Sequence, residues 1–164
     1  MPNWCENTLT ISGPNEDIAK FIEENHNPKE DNSPKSFLPL DFTKSAPITA
    51  GQKENESYNW KAENWGTKTN SNAAIHGQAS SLSPREQLET YWLVDDQEAI
   101  IDFETAYAPP IPWLETVAAK YPTIYFMLEY REIGSGIEGI AEGKGLDIED
   151  DVWNYIAPED HSVL

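Results

Sequence analysis

Asparagine and tryptophan stand side by side three times in this chain, as Asn3-Trp4, Asn59-Trp60 and Asn64-Trp65. Indole rings beside carboxamides suit recognition of a planar ligand. A base or sugar stacks on the ring while the amides read its edge. The residues placed for this are Asn3, Trp4, Asn7, Trp60, Asn64, Trp65, Thr67 and Lys68, with the lysine as the cation of the group. A second reading is structural: Trp65 and Tyr58 clamp a long insertion onto the main sheet, and the amides satisfy loop backbone groups. Ordering such an insertion costs about 1–2 kcal/mol of backbone entropy per residue. Buried indole offsets that cost, which favours the structural reading.

Other chemistry finds little footing. Cys5 has no base near it in sequence, and His26, His76 and His161 fall in loop or tail. The expectation for Cys5 is a small buried hydrophobe. No zinc spacing occurs. Asp147, Glu149, Asp150 and Asp151 lack the glycine spacing of a calcium loop and read as a solvated charge run. The "GSG" and "GKG" strings are not followed by a helix and do not form a phosphate loop. The expectation is a non-enzyme with no cofactor and no metal.

The net charge of −18 opposes direct binding to nucleic acid or to an anionic membrane. Residues 101–164 concentrate the imbalance, with 13 Asp or Glu against 3 Lys or Arg. Such a surface either keeps the protein in solution or forms a face for a basic partner. The single cysteine rules out an internal disulfide and fits a reducing compartment. No signal peptide and no apolar run of membrane-spanning length is visible, so a cytoplasmic location is expected.

The elements that must position these residues follow from periodicity. "ENTLTISG" alternates with period 2 and predicts a strand. "NEDIAKFIEEN" carries Ile18, Phe21 and Ile22 at helical spacing, with Asn15 as its N-cap. From about 26 to 87 an insertion interrupts the pattern. It is anchored by Phe37, Leu38 and Phe42 and contains a short helix over "SYNWKAENWG". "ETYWLV" and "AIIDFETAYA" predict a hairpin around Asp95-Asp96. "APPIPWLETVAAKYP" predicts a helix with Leu114, Val117, Ala118 and Tyr121 inward. "TIYFMLEYREI" predicts the strongest strand, and "IEGIAEG" a glycine-rich edge strand. The order is β-α-β-β-α-β plus one strand, an α+β ferredoxin-like split βαβ arrangement with two helices on one sheet face. One domain over 1–145 and an acidic tail over 146–164 are expected, with Val152, Trp153 and Tyr155 as possible tail anchors.

"MPNWCENTLTISG", "ENWGTK" and "FETAYAPPIPWLETVAAKYP" together resemble the YubB ferredoxin-like family of small proteins carried by phages, prophages and plasmids. The resemblance covers most of residues 1–145, and the segment after Gly145 lies outside it. It implies the same fold and a mobile-element origin, with no catalytic residues to carry over.

With Ile124, Phe126, Leu128 and Tyr130 toward the helices, the other sheet face presents Tyr125, Met127 and Glu129, joined by Asp102, Glu104, Glu138 and Glu142 from neighbouring strands. That face fits a basic protein better than RNA. The functional expectation is an acidic binding protein that occupies a basic, nucleic-acid-binding groove of a host protein. The rivals are a small-ligand or nucleotide-binding protein using the Asn/Trp group, and a structural accessory of a phage assembly.

Overall fold

A computed structural model describes residues 3–27, 37–48, 57–73 and 84–154. His76, His161 and Tyr155 lie outside the described residues, as do the prolines at 28 and 34. The chain runs β1 (Trp4–Ser12), α1 (Asn15–Asn25), α2 (Phe42–Ser45), α3 (Ser57–Asn64), β2 (Asn72–Ala73), α4 (Pro84–Tyr91), β3 (Trp92–Asp95), β4 (Glu98–Ala106), α5 (Ile111–Lys120), β5 (Tyr125–Glu132), β6 (Ile137–Lys144) and β7 (Asp147–Asn154).

The strands form one antiparallel sheet in the order β2-β4-β1-β5-β6-β7, with β3 also on β4. The run β3-β4-β1-β5 together with α1 and α5 is the ferredoxin-like split βαβ unit. Each helix connects two strands that are not neighbours, so the intervening strand is always antiparallel to both. No helix among the described residues is long and apolar enough to cross a membrane.

Period-2 alternation decides which face is buried. Leu9 and Ile11 of β1, Ile101 and Phe103 of β4, and Phe126 and Leu128 of β5 are buried on the helix side. Ile18 and Phe21 of α1 meet them, as do Trp113, Leu114, Val117 and Ala118 of α5. Phe21 packs edge-on against Phe126 at 5.5 Å and Trp92 at 6.2 Å. The insertion contributes to the same core. Phe42 lies 4.5 Å from the Trp113 ring, 5.6 Å from Trp65 and 6.0 Å from Phe103, ring centre to ring centre.

Several expectations need correction. Asn15 does not cap α1, whose preceding residue is Pro14. Its carboxamide instead donates to Asp96 Oδ1 at 3.0 Å and accepts from the Gln97 N–H at 2.6 Å. It therefore braces the β3–β4 turn, where Gln97 holds φ 59°. "ETYWLV" is not one strand. α4 runs to Tyr91 and β3 begins at Trp92, so the insertion reaches past residue 87. The β-propensity of Tyr-Trp-Leu-Val hid a helix start at Pro84.

The sheet also extends further than expected. β6 is interior, because β7 pairs with it from Ile137↔Asn154 to Lys144↔Asp147. Residues 147–154, expected in a tail, thus form the last strand of the sheet among the described residues. Glycine makes this possible: a Cβ at Gly139 would lie 2.4 Å from the Tyr130 Oη. With no side chain there, Tyr130 reaches across β6 and donates to Asp150 Oδ1 at 2.6 Å.

Candidate functional site

The register of the sheet arranges the face opposite the helices into rows. Glu104, Glu6, Arg131, Glu138 and Trp153 form one row across β4, β1, β5, β6 and β7. The next holds Asp102, Thr8, Glu129, Ile140 and Asp151. A third runs Leu93, Ile100, Thr10, Met127, Glu142 and Glu149, starting from β3. The last holds Glu98, Ser12, Tyr125, Lys144 and Asp147. Strands lie about 4.8 Å apart and same-face residues about 6.8 Å apart along a strand, which makes a lattice of carboxylates.

All of Asp102, Glu104, Tyr125, Met127, Glu129, Glu138 and Glu142 fall on this face. The lattice has internal bonds. Thr8 Oγ1 donates to Asp102 Oδ1 at 2.7 Å, and Arg131 meets Glu6 at 3.2 Å. The Trp153 indole N–H donates to Glu138 Oε1 at 2.7 Å. At the centre Ile100, Met127 and Ile140 are half-buried and Thr10 is nearly covered, while Leu93 at the border is 58% exposed. An apolar patch thus lies among acidic neighbours.

Sequence reasoning missed Glu6, Glu98, Ile100, Ile140 and Trp153 as members of this face. The alternation in β1 carried the signal for Glu6. Trp153 had no legible signal, because its strand pairing is a tertiary matter.

The Asn/Trp residues gather near the β4–α5 corner, and Asn7, Asn64, Trp65 and Thr67 use their side-chain hydrogen bonds in folding contacts. Trp65 is buried, and its indole N–H donates to the Ala46 carbonyl at 2.9 Å. Trp60 packs edge-on against it at 5.8 Å. The Asn64 amide donates to the Trp60 carbonyl at 2.9 Å. Asn7, buried in β1, donates to the Cys5 carbonyl at 3.1 Å and to Thr105 Oγ1 at 3.0 Å. Thr67 Oγ1 donates to the Ala106 carbonyl at 2.8 Å, opposite Trp4 in the β1–β4 ladder. The Asn3 carbonyl accepts from the Tyr107 N–H at 2.7 Å, and Lys68 Nζ sits 5.1 Å over the Tyr107 ring. Gly66, at φ 85°, lets this segment pass against Pro112, which a Cβ would meet at 2.4 Å. Tyr107 holds φ 68°, a conformation that costs a bulky residue about 1–3 kcal/mol.

Cys5 is fully buried, and burial beside the Glu132 carboxylate pushes its thiol from an ordinary 9.0 up to about 12. It stays protonated at neutral pH, which makes it a poor nucleophile. Glu132 is itself buried and accepts from the Gly134 and Ser135 N–H groups at 2.8 and 2.7 Å, so its role is to hold the β5–β6 turn. His26 places Nδ1 3.0 Å from the Ile22 carbonyl at the end of α1.

Among the described residues no set of three or more His, Cys, Asp or Glu is grouped to hold a metal ion. In β7 this follows from alternation: Glu149 and Asp151 share one face and Asp150 takes the other. A separate groove of about 750 Å³ lies between α1, α4 and β3. It has Ile18, Ile22, Leu88 and Trp92 in its lining, together with Glu23 and Asp95. None of the Asn/Trp candidates lines it.

Residues 87–160 match a family model described as a ferredoxin-like domain in Api92-like protein. The matched span runs from late α4 through β7, so it includes the segment after Gly145 that the sequence resemblance left out. The comparison returns the Api92-like description where the sequence strings suggested YubB. What the two share is the ferredoxin-like fold. No curated protein matches. Among solved structures, the crystal structure of protein Api92 from Yersinia pseudotuberculosis covers 96% of this chain and 99% of its own, with a TM-score of 0.64 and 10% identity. At that identity the likeness is one of fold. This chain is therefore similar to Api92-like proteins in sequence over its C-terminal part and similar to Api92 in fold along nearly its whole length.

Proposed function

We propose that this protein is a non-enzymatic binding protein whose open sheet face docks into a basic groove of another protein. The observation that supports the reading is the cross-strand order: Ile100, Thr10 and Met127 lie between rows that carry Glu98 on one side and Asp102 and Glu129 on the other. An apolar centre with a charged border is the anatomy of a protein interface. The border has one dominant sign, and the whole chain carries −18, so the partner is basic.

The basic surface best matched to a lattice of anions is one built for phosphates. The partner in this reading is therefore a nucleic-acid-binding protein of a bacterial host, met in its cytoplasm. The resemblance of the Asn-Trp strings to YubB supports carriage on a phage or plasmid, where antagonism of host defence or DNA processing is useful. The Asn/Trp group, in which Asn7, Asn64, Trp65 and Thr67 serve folding contacts, is the weaker candidate for a ligand site.

The test is capture from bacterial lysate by immobilised protein, with and without competing duplex DNA. Expected is recovery of a nucleic-acid-binding protein that DNA and high salt both displace. The double change Glu129→Lys and Glu138→Lys should abolish that recovery. A partner retained by the double variant, or indifferent to DNA, would refute the reading.

A further inference from the structure

β7 ends the sheet, and among the described residues no strand pairs with its outer edge. Its whole length, Asp147–Asn154, is ladder-bonded to β6 on the inner side. An unpaired edge this long is a template for another strand, and proteins usually block it with charge. Here the block has a single sign. Asp147, Glu149, Asp150 and Asp151 lie in the strand, which contains no Lys or Arg. Such a block repels a second copy of this chain, whose own edge would set carboxylates against carboxylates. It attracts an extended segment rich in Lys or Arg.

The edge is also preorganised. The Tyr130 hydroxyl crosses Gly139 and binds Asp150, and the Trp153 indole binds Glu138, so β7 is held to the strands behind it on both faces. Trp153 is 44% exposed and Val152 56%, which leaves an aromatic and an aliphatic contact at the end of the edge. The turn at Gly145-Leu146 closes on the pair Lys144↔Asp147. In a hairpin with a loop of this size the closing pair exchanges both hydrogen bonds, and bonded pairs then alternate. The backbone groups of Glu149, Asp151 and Trp153 therefore turn to β6. Those of Ile148, Asp150, Val152 and Asn154 turn to the free edge.

We propose that β7 takes up a basic extended peptide segment as an added strand. Its backbone bonds to the outward groups from Ile148 to Asn154, and its Lys or Arg side chains lie beside Glu149 and Asp151. This rests on the reading of the sheet as a surface for basic partners and names the mode of recognition, β-strand addition. The added strand extends the open face by one row.

The probe is a synthetic eight-residue peptide alternating Lys and Val, titrated into the full chain by calorimetry at low and high salt. Val152→Pro removes an outward N–H without disturbing the β6 ladder, a substitution that edge strands tolerate. Expected is salt-sensitive binding that falls at least about ten-fold in Val152→Pro and little in Val152→Ala. Asn154→Pro, at the strand's end, serves if Val152→Pro does not fold.

Absence of peptide binding at low salt overturns the inference. So does equal binding by the proline variants. If the proline variants bind normally while Glu129→Lys with Glu138→Lys does not, the peptide lies on the open face: the edge inference falls and the face reading survives. Loss in the proline variants alone supports the edge and counts against the face. A concentration-dependent dimer, seen by sedimentation and lost in Val152→Pro, would make the occupant a second copy and also overturn the proposal.

Discussion

The two faces of strands β1, β4 and β5 are made from alternate residues of the same segments, yet they follow opposite rules. On the helix side, Leu9, Ile101, Phe126 and Leu128 are sealed under α1, α5 and the insertion. Several polar groups there are paired, as with Asn7 to Thr105 and Trp65 to Ala46, while the buried Trp113 indole N–H has no partner among the described residues. On the open side, carboxylates from adjacent strands stand within one lattice spacing of each other. Like charges directly opposite across strands are destabilising. Glu6 faces Glu104, and Glu142 faces Glu149. The sealed face therefore provides the stability that the acidic face draws down.

Substitutions on each side should separate accordingly. The largest effect is expected at the sealed face: Trp65→Ala should cost about 3–5 kcal/mol in urea unfolding. It removes the ring between Phe42 and Trp60 and leaves the Ala46 carbonyl without its donor. A loss below about 1 kcal/mol would mean that the rings do not hold the insertion.

Next comes the alkaline limb. Cys5 has its folded pKa raised from 9.0 to about 12, so the folded state binds more protons between those values. The stability from this thiol is fully present below pH 9.0 and is lost as pH rises toward about 12. Tyr91, Tyr121 and Tyr130 are also raised, chiefly by burial, and add to the same loss. Cys5→Ala should make unfolding less sensitive to pH above 9.0 without abolishing the dependence. An unchanged slope would place the thiol in contact with water.

Tyr107→Gly should relieve the φ 68° backbone and raise stability by about 1–2 kcal/mol. The loss of the Lys68 contact takes back part of that gain. A lower melting temperature would show that the exposed ring is a structural clamp after all.

The smallest effect belongs to the open face. Glu129→Lys should shift stability by no more than about 0.5 kcal/mol while weakening capture of a basic partner. A large stability change there would break the contrast between the faces.

Local pattern made much of this legible. The "NEDIAKFIEEN" pattern predicts a helix where α1 stands, and period 2 alone predicts the inward set Ile124, Phe126, Leu128 and Tyr130, all of them buried. The assignment of Asp102, Glu104, Glu138 and Glu142 to one face with Glu129 also follows the observed register. The misses share a cause. Asn15 looked like a cap because its type favours capping, but a turn 82 residues away offered better partners. Leu40 and Trp113 are both fully buried without a sequence signal, because a loop and a proline-flanked helix start carry no clear period. Residues 147–154 looked like tail because a run of carboxylates reads as solvated coil. The strand there depends on β6 beside it and on the Tyr130 hydroxyl behind it.

Alternation and helical spacing depend on neighbours a few residues apart, so the amino-acid order alone determined the strand faces, the main helices and the acidic character of the outward positions. Which carboxylates stand side by side, what the Asn-Trp pairs touch, and that an acidic C-terminal segment closes the sheet are long-range pairings. Their free energy comes from partners tens of residues distant, and only the assembled structure selects among them.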